Sequence, residues 1–242
     1  MDNIYIDCTP EHVDQSPKSI TLLKSVETSA SVYAVCHYKG VTYLGTENCT
    51  VETIDSDFNI KSFVSLGDDM YPYSISIHEE RIYVLVSGLG PYTINVFDLS
   101  GQLITQWERA DSSWDTGIAI VSNQIVVPDA NNQQLTVYSL TGEVIKHISC
   151  PELSGVSSAC AVDNNSIIVT NYNTSQVFKV DISTEETIWT CNEVAQPLAV
   201  AIYGKDYVCV GSKEKISFLN INTGSLHIYC YILSYKYISL NS

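Results

Sequence analysis

The chain has 242 residues, 45% of them hydrophobic and 16% charged, with 27 acidic against 12 basic side chains and a net charge of −15. That apolar content suits a packed core and excludes a disordered or low-complexity chain, while the charge opposes any surface built for phosphate backbones. No stretch of eighteen apolar residues exists, so no membrane association is expected. The opening "MDNIYIDCTPEHVDQ" carries acids where a secretion signal needs a basic and then an apolar region, so a soluble, cytoplasmic protein is expected.

In chain order, residues 1–30 hold two short apolar runs, "IYID" and "SITLLKSV". From Ser31 onward the chain repeats itself. A small-residue apolar run comes first in each unit: "VYAVCHY", "YSISIHE", "GIAIVS", "SACAVD" and "PLAVAIYG". A β-branched run follows, beginning at Val41, Ile82, Ile125, Ile167 and Tyr207, so the period is 40 to 43 residues. Next come a polar loop and an alternating run ending at Asp55, Asp98, Ser139, Asp181 or Asn220. A tight turn, Ser100-Gly101, Thr141-Gly142 or Thr223-Gly224 in three of the units, then leads into a last apolar run. Period-2 alternation and hairpin turn residues predict four strands per unit, and no segment has a sustained helical period.

A lone four-stranded sheet exposes two faces and two edges and is not stable alone. Setting the units radially buries each face against a neighbour, which is the β-propeller arrangement. The run containing Ala34, Ala119, Ala159, Ala161, Ala199 and Ala201 is then innermost, where space is least. Five units are expected at about 31–70, 71–115, 116–156, 157–195 and 196–230, within one domain over 1–242. The leftover termini, 1–30 and 231–242, together equal one further repeat. The expected fold is therefore all-β, a six-bladed propeller of four-stranded blades, its sixth blade shared by the termini or incomplete.

The eight cysteines include no C-x-x-C pair, so zinc knuckles and redox motifs are not expected, and Cys36, Cys160 and Cys209 sit in apolar runs as core residues. Three Asn-x-Ser/Thr triplets, at Asn48, Asn164 and Asn173, carry little weight without a leader. A nucleophile elbow, an H-E-x-x-H helix and a phosphate-cradling loop are all absent from the sequence. His37, His78 and Asp163 are the candidates for a metal site in the channel of a propeller hydrolase, but they form no pattern. Neither a catalytic residue, a metal nor a cofactor is assigned.

The stretch "VVPDANNQQLTVYSLTGEVI" resembles the NHL repeat, with Asp129, Asn132, Leu135, Tyr138 and Gly142 at the motif's places. The second unit keeps Phe97, Asp98, Gly101 and Trp107, and the fourth keeps Asn171, Val177, Phe178 and Asp181. The stretches "SPKSITLLKSVETSASVYAVCHYKGVTYLGT" and "VYSLTGEVIKHI" also resemble the propeller regions of invertebrate tripartite-motif (TRIM) proteins, and the resemblance covers about residues 17–228. That resemblance implies a non-enzymatic protein-interaction scaffold, the partner-recognition part of a ubiquitin-ligase system whose RING finger this sequence does not contain. It also raises RNA binding as an alternative, but Gln133 and Gln134 stand where the family often has basic residues, and the net charge opposes nucleic acid.

Propellers bind partners on the face built from blade-to-blade links and the loops after each second strand. There the sequence places Asp68, Tyr71, Tyr73, Tyr92, Arg109, Trp114, Asn131 and Tyr172 as candidate partner-binding residues. Tyr, Trp and Arg are the types that dominate interface energetics, although Tyr73 and Trp114 equally suit packing between blades. Acids around Trp114 favour a protein partner with a basic segment.

Overall fold

A computed structural model describes residues 26–88, 92–109, 117–213 and 215–231. They form twenty strands in five four-stranded antiparallel sheets. Blade 1 holds β1 (Val32–Tyr38), β2 (Val41–Thr46), β3 (Thr50–Ile54) and β4 (Ile60–Ser65). Blade 2 holds β5 (Met70–His78), β6 (Arg81–Gly88), β7 (Thr93–Asp98) and β8 (Leu103–Glu108). Blade 3 holds β9 (Ala119–Val121), β10 (Gln124–Asp129), β11 (Gln134–Ser139) and β12 (Val144–Ser149). Blade 4 holds β13 (Val156–Ala161), β14 (Ser166–Asn171), β15 (Gln176–Asp181) and β16 (Glu186–Cys191), and blade 5 holds β17 (Pro197–Tyr203), β18 (Tyr207–Ser212), β19 (Lys215–Asn220) and β20 (Leu226–Tyr231). Within each sheet the strands pair in sequence order, and the first strands β1, β5, β9, β13 and β17 pack in succession as the innermost elements.

The expectation of six blades is corrected: five blades of four strands stand where six were expected. The physical reason is that the terminal residues matched the repeat in number only and lacked its small-residue inner strand. Residues 26–31 make a bend outside any sheet, and Tyr231, assigned to the extra blade, ends β20 of blade 5. The remaining residues of that assignment, 1–25 and 232–242, lie outside the described ones.

Apolar layers between consecutive blades hold the arc together. Ala34, Tyr43 and Val51 of blade 1 pack on Ile75, Val84 and Phe97 of blade 2, and Leu85 and Ile94 of blade 2 on Ile125 and Tyr138 of blade 3. Val126 and Val137 of blade 3 meet Val169 and Phe178 of blade 4, and Ile168 and Val177 of blade 4 meet Val200 and Val208 of blade 5. The second strands are apolar on both sides because both of their faces are covered. At about 25 cal/mol per Å² of apolar surface, these layers are the main stabilising term.

The polar residue ending each third strand now has a role. Asp98 Oδ1 accepts from the Ser100 and Gln102 amides at 2.8 and 2.9 Å, and Asp181 Oδ1 accepts from Ser183 N at 2.7 Å and Thr184 N at 3.0 Å. Ser139 Oγ and Asn220 Oδ1 do the same for Thr141 N and Asn222 N. One side-chain oxygen thus supplies the acceptor that organises the turn, which is why Asp, Ser and Asn interchange there.

These bonds, led by those from the Ser100 and Ser183 hydroxyls, hold both carboxyls below the ordinary aspartate value. Their stabilisation is complete above about pH 4, the unfolded value, and is lost as pH falls through the lower folded values. Between pH 5 and pH 2 the wild type should therefore lose more thermal stability than the double variant Asp98→Asn/Asp181→Asn, which keeps an acceptor that cannot be protonated there. Equal acid slopes in melting experiments would refute the turn assignment.

Outer strands latch each blade to the next. The Trp107 ring covers Gly142 of blade 3, and the Trp189 ring covers Gly224 of blade 5, while Trp189 Nε1 donates to the Ile221 carbonyl at 3.1 Å. Between blades 3 and 4 a lysine replaces the aromatic residue: Lys146 Nζ donates to Ile182 O at 2.7 Å and to Glu185 Oε1 at 2.8 Å. Nearer the inner strands, the first hairpin turns touch in a chain, through Lys39–Glu80 (2.7 Å), His78–Asn123 (2.9 Å) and Ser122 donating to Asn164 O.

Candidate partner-binding face

In an antiparallel blade the starts of strands 1 and 3 and the ends of strands 2 and 4 share one edge. The links between blades and the second-to-third strand turns therefore form one face, called here the upper face, and the first hairpin turns form the lower one.

A register irregularity recurs on this face. The pairing of the inner strand slips between Val32 and Ala34, Pro72 and Ser74, Val156 and Ser158, and Pro197 and Ala199. One residue is bulged each time: Tyr33, Tyr73, Ser157 and Leu198. A bulge frees a residue from strict side alternation and re-aims it. Tyr33 is 41% and Leu198 46% exposed although both are large and apolar, and Tyr73 is half-buried.

Two of these positions meet. The Tyr33 and Tyr73 rings stack, with centroids 5.2 Å apart and planes at 14°, while the Tyr71 ring stands steeply inclined to both, with its centroid 6.1 Å from Tyr33 and 6.4 Å from Tyr73. Offset-stacked and edge-to-face pairs are the favoured aromatic arrangements. Acids border the rings. Desolvation first, and the charge of Glu47 second, push the Tyr33 phenol up, and desolvation with Asp69 does the same to Tyr71. The phenols stay protonated and neutral.

The expected residues fall into separate groups. Tyr71 and Tyr73 belong to this cluster, and Asp68 is exposed in the link just before β5. Tyr92 and Arg109 pair farther from the axis: Arg109 N donates to Tyr92 O at 2.8 Å, and the guanidinium lies 5.9 Å from the ring centroid. Arg109 is buried, whereas the sequence placed it among exposed loop residues. Asn131 is exposed at the turn of blade 3, where the fully buried Asp129 accepts from Asn132 N at 3.1 Å and Asn132 Nδ2 at 2.7 Å. The Asp and Asn of the NHL-like motif thus build a turn here. Tyr172 is exposed on the upper turn of blade 4, and Trp114 lies outside the described residues.

Sequence reasoning missed Tyr33, Leu198 and Glu47. A signal existed: "VYAV" and "PYSI", set in register with one residue of slack, place a tyrosine second in two successive inner strands.

The residues weighed for metal chemistry are engaged elsewhere. His37 Nδ1 is 3.0 Å from Thr42 Oγ1, His78 contacts Asn123, and Asp163 accepts from Asn165 N and Ser166 N at 2.8 Å each. Among the described residues no group of three or more His, Cys, Asp or Glu side chains is placed to hold a metal ion. Burial pushes the Cys36 thiol up to about 11 and those of Cys150 and Cys160 to about 12, which keeps them out of the reactive thiolate form. No helix among the described residues is long and apolar enough to cross a membrane.

Neither a known family profile nor a curated protein sequence matches the chain. Solved structures do. The chain is similar to the WD40 beta propeller domain of Doa1, with a TM-score of 0.67 and 16% identity over 83% of this chain and 68% of that one. It is also similar to a chain in the crystal structure of the Mitotic Checkpoint Complex, with a TM-score of 0.61 and 13% identity over 86% of this chain and 73% of that one. The fold is a WD40-like β-propeller.

Proposed function

We propose that this protein is a non-enzymatic interaction scaffold that grips a protein partner with its upper face. The observation that carries this reading is the inner-strand bulge that recurs on the upper face at Tyr33, Tyr73 and Leu198 and leaves Tyr33 and Leu198 exposed. Large side chains held outward by a rigid frame lose little freedom on binding, and tyrosine is among the usual interface anchors. One of the similar structures is itself part of a multiprotein assembly, which agrees with this reading.

A nearer assignment, as the recognition propeller of a tripartite-motif ubiquitin-ligase system acting in the cytoplasm, rests only on the NHL-like residues of the second, third and fourth units. RNA is disfavoured by the net charge of −15.

Affinity capture with the intact chain tests the scaffold reading. The variant Tyr73→Ala/Leu198→Asp should lose bound partners by tenfold or more, while Glu80→Gln on the lower face should keep them, with thermal melts showing both variants folded. An unchanged partner set with the upper-face variant would overturn the proposal.

A further inference from the structure

The upper mouth of blades 1 and 2 combines three tyrosine rings with an unusually one-signed environment. The described lysines and arginines of blades 1 and 2 are Lys39, Lys61, Arg81 and Arg109. The first three stand at the lower edge, Lys39 paired with Glu80 at 2.7 Å and Lys61 with Asp55 at 3.4 Å, while Arg109, at the upper end of β8, is buried against the Tyr92 ring. The upper edge of the same two blades carries Glu47, Asp68 and Asp69, all exposed. The rings beside them are partly open, Tyr33 being 41% exposed, and the Tyr71 plane stands at 77° and 64° to the stacked Tyr33 and Tyr73 rings.

A π face is electronegative and an ammonium group binds over it, more strongly when carboxylates sit nearby and no competing cation does. Resting on the scaffold reading above, we propose that this mouth seats a lysine-type ammonium group of the partner, methylated or not. In this arrangement the Tyr33, Tyr71 and Tyr73 rings make the contact, and Glu47 and Asp69 draw in the charge. Leu198, the apolar bulge residue of blade 5, takes no part in the cation contact.

The probe is N-acetyl-trimethyl-lysine amide, compared with its neutral isostere in which a carbon replaces the quaternary nitrogen. Both are titrated into the full chain labelled with fluorotyrosine and followed by ¹⁹F NMR. The cation should shift the resonances assigned to Tyr33, Tyr71 and Tyr73 saturably, and the neutral probe should bind roughly 3- to 10-fold more weakly. Glu47→Gln/Asp69→Asn should weaken the cation by about threefold and flatten its salt dependence. Equal binding of the two probes, or no shift with either, would overturn the cation site. Neither result touches the scaffold reading, which stands or falls on the capture experiment with Tyr73→Ala/Leu198→Asp.

Discussion

Replacing Trp189 with alanine should lower the stability of the protein by about 3–5 kcal/mol, the usual cost of emptying a buried aromatic site. Trp189 is only 9% exposed, and it sits on β16 but serves blade 5. Its ring covers Gly224 and its indole nitrogen donates to Ile221 O, so the substitution opens a void and orphans a carbonyl at once. Phenylalanine should keep most of the packing and lose the hydrogen bond, at a cost of about 1 kcal/mol from that bond. Because each blade contacts only its neighbours, the loss should be local: amide exchange should accelerate first in β18 and β19 and last in blades 1 and 2. Denaturant melts and exchange mass spectrometry read both. A cost under about 1 kcal/mol for the alanine variant, or uniform acceleration across all blades, would show that the latch is not where blade 5 is secured.

Gly142→Ala should be nearly as damaging, for two separable reasons. The residue adopts φ +92°, where a side chain costs about 1–2 kcal/mol, and an added Cβ would stand 2.5 Å from the Trp107 ring. Moving that ring out of its half-buried seat should add about 1–3 kcal/mol of overpacking, giving about 2–5 kcal/mol in all. Gly40 provides the control, since it has φ +80° with nothing within 4 Å of the would-be Cβ, so Gly40→Ala should show the conformational part alone. In the Trp107→Ala background the extra cost at Gly142 should shrink to that same value. Additivity of the two substitutions, measured in a double-mutant cycle, would refute the contact.

The repeat made the blades legible because covered faces demand an apolar pattern that recurs. Runs such as Ile82–Val86 and Ile167–Val169 are buried on both sides, and tight packing leaves their chemistry little choice. The turn oxygens at Asp98 and Asp181 were legible for a similar reason, since only a short polar side chain can reach two amides there. Blade number was not, because counting residues at the termini carries no information about pairing. The upper mouth was legible in part: Tyr71 and Tyr73 were visible as aromatic residues in a link, but their partner Tyr33 was hidden inside a strand-like run. Beyond the matching tyrosines of "VYAV" and "PYSI", a bulge leaves little trace in a sequence, since it shifts alternation by one residue without requiring a particular side chain. Arg109 read as an exposed charge for the opposite reason, as nothing in the letters shows that Tyr92 lies over its guanidinium.

The slipped registers also bear on how such a molecule can change its tastes. A residue outside the ladder adds little to strand alignment, so substitution at such positions weighs less on register than on what the mouth displays. Tyr33 and Tyr73, which share a stacking contact, form one such adjustable pair, and Leu198 another site of change, while the frame beneath them stays the same.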